Sequence, residues 1–342
     1  MNRLTLSLLL LLLCAPTQAA GLFETDSVID ATIEMEMDRF CRNPERQDCI
    51  DLPAVFTYQD DAGQSVSVNM KLRIRGRWGP KTGNCTFPSV FAFFDTATTS
   101  GTIFEGQDML PLTTHCKKPG YYEQYLLKEY YAHEIYEVIT PRSMGSRLVR
   151  ATYRDSEGKK DDLVRYAFFT ENFRTIAEKN DARVLNVQPF NPLDAQPFQL
   201  ALHDLFQFMI GNTDWSMIFD HNRLLLEDPD GPYPVPYDLD YSGLVNAKYA
   251  QPSEKLKIRK VETRLFRGFC RRDIPWDRVF AHFRDTRDQV MARMDIVPGL
   301  SDGSKRRMTI YLEAFYKVID APRKREREII KACRKIPRGL NG

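Results

Sequence analysis

Residues 54–74 read AVFTYQDDAGQSVSVNMKLRI. Val66, Val68, Met70, Leu72 and Ile74 occupy every second position, the period at which a strand turns one face toward a core. Asp60-Asp61-Ala62-Gly63 supplies a turn, and Ala54, Phe56 and Tyr58 repeat the period before it. The stretch predicts a hairpin with one half-buried face. A further apolar run at 90–94 extends the strand-forming text from residue 50 to about residue 94.

Downstream the period lengthens. Over 122–139, Leu127, Tyr131, Ile135 and Val138 share one stripe of a helix that Pro141 closes. Two strands, at 148–153 and 163–169, flank a polar turn, and 174–198 has no clear period. Leu202, Leu205, Phe206, Met209 and Ile210 then fall at helical spacing. Gly211 stands where a left-handed cap would end that helix. Short strands at 223–227 and 235–237 flank Asp228-Pro229-Asp230-Gly231, a turn signal, and beyond Val261 the text is mainly helical. The expected class is α+β, strand-rich in the N-terminal half and helix-rich in the C-terminal half.

The first twenty residues have the form of a secretory signal. Asn2-Arg3 is followed by an apolar run at 4–15 and by the small-residue site Thr17-Gln18-Ala19-Ala20. The run is too short to span a bilayer, and no second run of spanning length follows. Bulky leucines before Cys14 disfavour lipidation there. The expectation is an exported protein, periplasmic or secreted, without an integral membrane segment after cleavage. Residues 21–342 then form one unit, approximately 21–170 strand-rich and 171–342 helix-rich.

At 342 residues with 43% hydrophobic side chains, the chain has enough apolar material for a large core. A formal net charge of +2 gives no general attraction to nucleic acid, and the basic C-terminal stretch reads as a solvated helix face. Seven cysteines become six without the signal, an even number that favours disulfides in an oxidising compartment. No CxxC zinc spacing occurs. Six cysteines allow fifteen connectivities. The short polar loop between Cys41 and Cys49 favours that pair, and spacing leaves Cys85 with Cys116 and Cys270 with Cys333 open.

The text that carries chemistry lies at 211–243. It contains Asp214 just past a helix C-terminus, His221-Asn222 entering a strand, and Tyr237-Asp238-Leu239-Asp240-Tyr241-Ser242-Gly243 leaving the next one. Asn222 and Asp238 are equidistant from Asp230, so a symmetric hairpin sets them side by side. An amide oxygen beside a carboxylate offers hard ligands to Mg²⁺, with Asp214 as base or orienting group. His221 and His115 read as hydrogen-bonded structural histidines, and Trp215 and Tyr121-Tyr122 as core or rim aromatics.

Asp214…His221-Asn222 followed by Pro236-Tyr237-Asp238-Leu239-Asp240 resembles the spore-coat-protein-H (CotH) kinase-like family. Arg73-Ile74-Arg75-Gly76 is similar to that family's N-terminal strand. The resemblance implies a kinase-like two-lobed architecture. By it, Asp214 is the catalytic residue and Asn222, Asp238 and Asp240 hold Mg²⁺ or Mn²⁺ with ATP. Glu129 would be the partner of a phosphate-binding lysine. Two departures stand out. Asp214 lies eight residues before Asn222 rather than five. The lysine's place reads Asn84-Cys85-Thr86-Phe87-Pro88, which leaves Lys71 and Lys81 as substitutes. The expected activity is phosphoryl transfer from a nucleotide to a hydroxyl of a protein or small molecule. Alternatives are a non-catalytic binding protein and a metal-dependent hydrolase using Asp214, His221 and Asp238.

Overall fold

The computed structural model describes residues 21–40, 51–75 and 85–340. The signal segment, Cys41, Cys49 and Lys81 lie outside the described residues. Strands β1 (Ile29–Met35), β2 (Leu52–Gln59), β3 (Ser65–Ile74), β4 (Val90–Phe94) and β5 (Met109–Thr113) precede a long helix, α1 (Gly120–Ile139). Strands β6 (Ser146–Asp155) and β7 (Leu163–Thr170) follow it. These seven close into a barrel in the order β1-β2-β3-β4-β5-β7-β6, with β1 pairing antiparallel to β2 and parallel to β6.

The closure overturns the kinase-like two-lobed architecture, because a closed seven-stranded barrel is not the small lobe of such a fold. The alternation at 54–74 does place the β2–β3 hairpin, with Phe56 opposite Val68. It says nothing about what lies at the sheet's edges. Closure depends on β1 and β5, neither assigned from the sequence, and on pairings between residues more than a hundred positions apart. Side chains on alternate positions fill the barrel, among them Ile33, Phe56, Ala92, Leu110, Val149 and Phe169. Phe104, from the connection between β4 and β5, plugs it, with its ring centroid 4.7 Å from Phe94 and 5.1 Å from Phe56.

A second core lies outside the barrel, built around α1. The predicted stripe is present, yet the helix is buried almost all round from Tyr125 to Tyr136. Lys128, Glu129, His133 and Glu134 are therefore interior residues rather than a solvated face. One side of α1 rests on β6 and β7, and the others meet α3 (Pro197–Ile210), α5 (Arg287–Ala292) and their neighbours. The segment at 174–198, left without a period, contains α2 (Phe173–Lys179) and the short strand β8 (Arg183–Val184). The C-terminal part is helical, with α4 (Trp276–Asp285) and α6 (Asp302–Ile319) closing the second core.

Helix α3 ends at Gly211 in the left-handed conformation (φ 67°), where the spacing put its cap. The hairpin of β9 (Arg223–Asp228) and β10 (Gly231–Pro236) pairs Asp228 with Gly231 and Arg223 with Pro236. Its centre falls between Pro229 and Asp230. Asn222 therefore faces Tyr237 and not Asp238, a one-residue correction to the symmetric register.

Disulfides join Cys85 to Cys116 and Cys270 to Cys333, closing 31- and 63-residue separations. Chain-entropy arguments give each roughly 3–4 kcal/mol of stabilisation. His115 lies at the end of the barrel core, its ring 4.7 Å from that of Phe87. Burial first, then the charge of Arg165, lower its pKa to about 3, so it is a neutral structural histidine. No helix among the described residues is long and apolar enough to cross a membrane.

Candidate functional site

The outer face of β4, β5 and β7, the polar side of α1 and the end of the β9–β10 hairpin enclose a cleft of about 810 Å³. Two residues at the hairpin's open end, Asn222 (φ 51°) and Asp238 (φ 60°), have left-handed backbones. Asn and Asp tolerate that region better than other side chains with a Cβ. The strands thus turn over where they leave the ladder, and both side chains reach the lining of the cleft.

At one end of this cleft the carboxylates of Glu129, Asp238 and Asp240 gather, each offering an oxygen within 4.8 Å of the others. Glu129 comes from the middle of α1, the two aspartates from the segment after β10. Arg75, just past β3, brings its guanidinium to 3.9 Å from Asp238. Arg75 is the cation that acts on all three carboxylates. Burial first, then the charges of Asp240 and Asp238, push Glu129 well above the ordinary carboxylate range, and Arg75 offsets this in part. Burial and Asp238 likewise push Asp240 up. Hard, closely spaced oxygens carrying excess negative charge fit a divalent ion such as Mg²⁺ or Mn²⁺.

Asp214 stands beside this group and contributes to the upward push on Asp240. Its own carboxylate is held: His221 Nε2 lies 2.9 Å from Oδ1, and Asn222 Nδ2 donates to Oδ2 at 3.2 Å and to the Asp214 carbonyl at 2.7 Å. The Asn212 side chain accepts from the Asp214 backbone N–H. An exposed, hydrogen-bonded Asp–His pair can accept a proton from a hydroxyl brought to the mouth of the site.

The structure therefore brings Asp214, Asn222, Asp238, Asp240 and Glu129 together beside one end of the cleft. It separates the substitute lysine from them. Lys71 points from the outer face of β3 into a different groove, beside Glu34, Asp51 and Asn69. Glu129, expected to pair with a lysine, instead meets the two aspartates. The preceding residue, Lys128, reaches the carbonyl of Val245 and lies 5.1 Å over the Tyr125 ring. Burial lowers its pKa to about 8. His221 is bonded to Asp214 and lies outside the group of three clustered carboxylates.

Two lining residues escaped the sequence reading. Arg75 was visible within Arg73-Ile74-Arg75-Gly76, but only the closed barrel shows that this strand's end faces the acidic group. His133 lies one turn after Glu129 on α1 and so shares its face. It lines the cleft, and burial followed by the charge of Arg75 lowers its pKa to about 3. Its signal, a Glu and a His four apart in a helix, is too common to have been singled out.

No protein-family model and no curated protein matches the chain, so the reading of this site rests on its own residues.

Proposed function

We propose that the protein is an exported enzyme of Mg²⁺- or Mn²⁺-dependent phosphoryl transfer. The observation that carries this reading is the convergence of Glu129, Asp238 and Asp240 beside Arg75 at the end of a cleft large enough for a small-molecule substrate. In such chemistry positioning and charge neutralisation do most of the work. The three carboxylates would hold the divalent ion, which supplies charge neutralisation on the phosphate. Arg75 supplies a fixed positive charge for a phosphate oxygen. Asp214, oriented by Asn222 and His221, receives the proton of the attacking hydroxyl. The resemblance of 211–243 to CotH kinases supports the chemistry and not the architecture. The two disulfides agree with an oxidising compartment.

The test is incubation of the full mature chain with Mn²⁺, labelled ATP and a generic hydroxyl acceptor. Labelling that Asp238→Ala abolishes is the expected result. Absence of labelling with both Mg²⁺ and Mn²⁺ overturns the catalytic reading. A second reading, a non-catalytic binding protein using the same cleft, is favoured by the position of Lys71 in a separate groove. It predicts thermal stabilisation by Mn²⁺ and a phosphate compound, scaling as RT ln(1 + [L]/Kd), without turnover.

A further inference from the structure

The cleft is much larger than a metal–phosphate group requires, and its remaining walls have a distinct character. Phe91 and Phe93 of β4, Met109 and Pro111 of β5, Phe168 of β7 and Phe173 at the start of α2 all turn apolar surface inward. These strand residues alternate with those that fill the barrel; α1 covers the β7 end of this outer face, where Phe168 packs against Tyr130 and His133, while Phe91, Phe93 and Met109 stay partly exposed. Phe173 is 40% exposed and stands at the rim, its ring 5.2 Å from that of Tyr237.

Polar groups along this wall are mostly committed. Pro111 has no N–H to offer. The Met109 carbonyl accepts from Asn172 Nδ2 at 3.0 Å, and Asn172 Oδ1 accepts from the Thr175 backbone N–H at 2.9 Å. The Asp108 carboxylate pairs with Arg174 at 2.9 Å, and its carbonyl accepts from the Phe94 N–H. Thr113, Thr170 and the neutral His133 are the polar side chains left among apolar neighbours.

We propose that this cleft binds a phosphorylated amphiphile, with its prenyl or alkyl tail along the Phe91–Phe93–Met109 wall and its phosphate at the Glu129–Asp238–Asp240 end. The inference rests on the metal–phosphate reading of that end and adds the class of substrate body. One end of the cleft is built for oxygen-rich, cation-bound anions and the other for hydrocarbon. A ligand matching both is an amphiphile. Each methylene the wall removes from water strengthens binding about fourfold.

The experiment is calorimetric titration of the full mature chain, in Mn²⁺, with geranyl monophosphate, inorganic phosphate and ATP in parallel. Geranyl monophosphate is expected to bind at least ~100-fold more tightly than inorganic phosphate, and more tightly than ATP. Thr170→Phe, which fills the cleft, should bring its affinity down to that of inorganic phosphate while Mn²⁺ binding persists. If that variant fails to fold, Phe173→Ser at the rim should weaken geranyl monophosphate several-fold and leave inorganic phosphate unchanged. Equal affinity for geranyl and inorganic phosphate overturns the proposal, as does tighter binding of ATP. Failure of the site reading looks different: Mn²⁺ would not bind, and the geranyl affinity would be the same in chelator.

Discussion

Helix α1 contributes to two groups of carboxylates, and they are treated differently. One comprises Glu129 with Asp238 and Asp240. The other comprises Glu134 and Glu137 with Glu171, from the end of β7. In the second group the protein supplies the counter-charges and donors itself. Lys179 of α2 lies 2.6 Å from Glu171, and Arg293 is 3.4 Å from Glu134. The Ser146 backbone N–H donates to Glu137 at 3.1 Å, and the Gly145 N–H donates to Glu171 at 2.7 Å. A Cβ at Gly145 would lie 3.0 Å from the Glu171 carboxylate and crowd it. In the first group Arg75 stands off at 3.9 Å and a cleft adjoins. Charges closed off with their partners are architecture, whereas charges left under-compensated beside a cleft are positioned for something that arrives.

The largest expected effect is in the closed group. Lys179→Met leaves the Glu171 carboxylate buried without its cation and should cost about 2–3 kcal/mol in denaturant unfolding. Mn²⁺ affinity should be unchanged. A variant as stable as the parent would show that the second group is not held by its ion pair.

The pH dependence of stability is next. Burial first, then the charge of Glu134, raise Glu137 to about 8, with Lys179 acting in the opposite direction. A carboxyl raised in the folded state contributes stability that is complete below its ordinary unfolded value and is lost as pH rises through about 8. Between pH 6 and pH 8 the parent should therefore lose about 2 kcal/mol relative to Glu137→Gln. Parallel stability curves for the two proteins would break the comparison from this side.

The smallest effect has the opposite sign. In chelator, Asp240→Asn removes a charge that burial and Asp238 disfavour, so it should raise the thermal midpoint, on the order of 2 °C. With Mn²⁺ present the order should reverse, because the parent gains the binding energy. Destabilisation in chelator, as expected at Lys179, would mean that the two groups are alike after all.

The legibility of these features follows from their range. The β2–β3 hairpin, the end of α3 at Gly211 and the β9–β10 turn were readable because each is set by residues within a few positions of one another. The convergence of Asp214, Asn222, Asp238 and Asp240 was readable for the same reason: they come from one compact unit. Even there the register slipped by one, since a two-residue turn at Pro229-Asp230 moves the centre from where symmetry put it. Left-handed backbones at Asn222 and Asp238 then bring both side chains to the cleft despite the slip.

Three things were decided only in three dimensions. The parallel pairing of β1 with β6 closes the barrel, and no local pattern announces a partner more than a hundred residues away. Burial of α1 on nearly all sides makes Glu129 a member of the acidic group and not a lysine's partner, because helical periodicity marks the apolar stripe and not what packs over the polar one. The third is charge balance at the site. Composition and spacing supplied the carboxylates and the cysteines, and the folded chain alone sets Arg75 beside Asp238 and Lys71 in a separate groove. Local patterns determine elements and which nearby side chains can meet, whereas closure, burial and electrostatic compensation are properties of residues that meet only when the whole chain has packed.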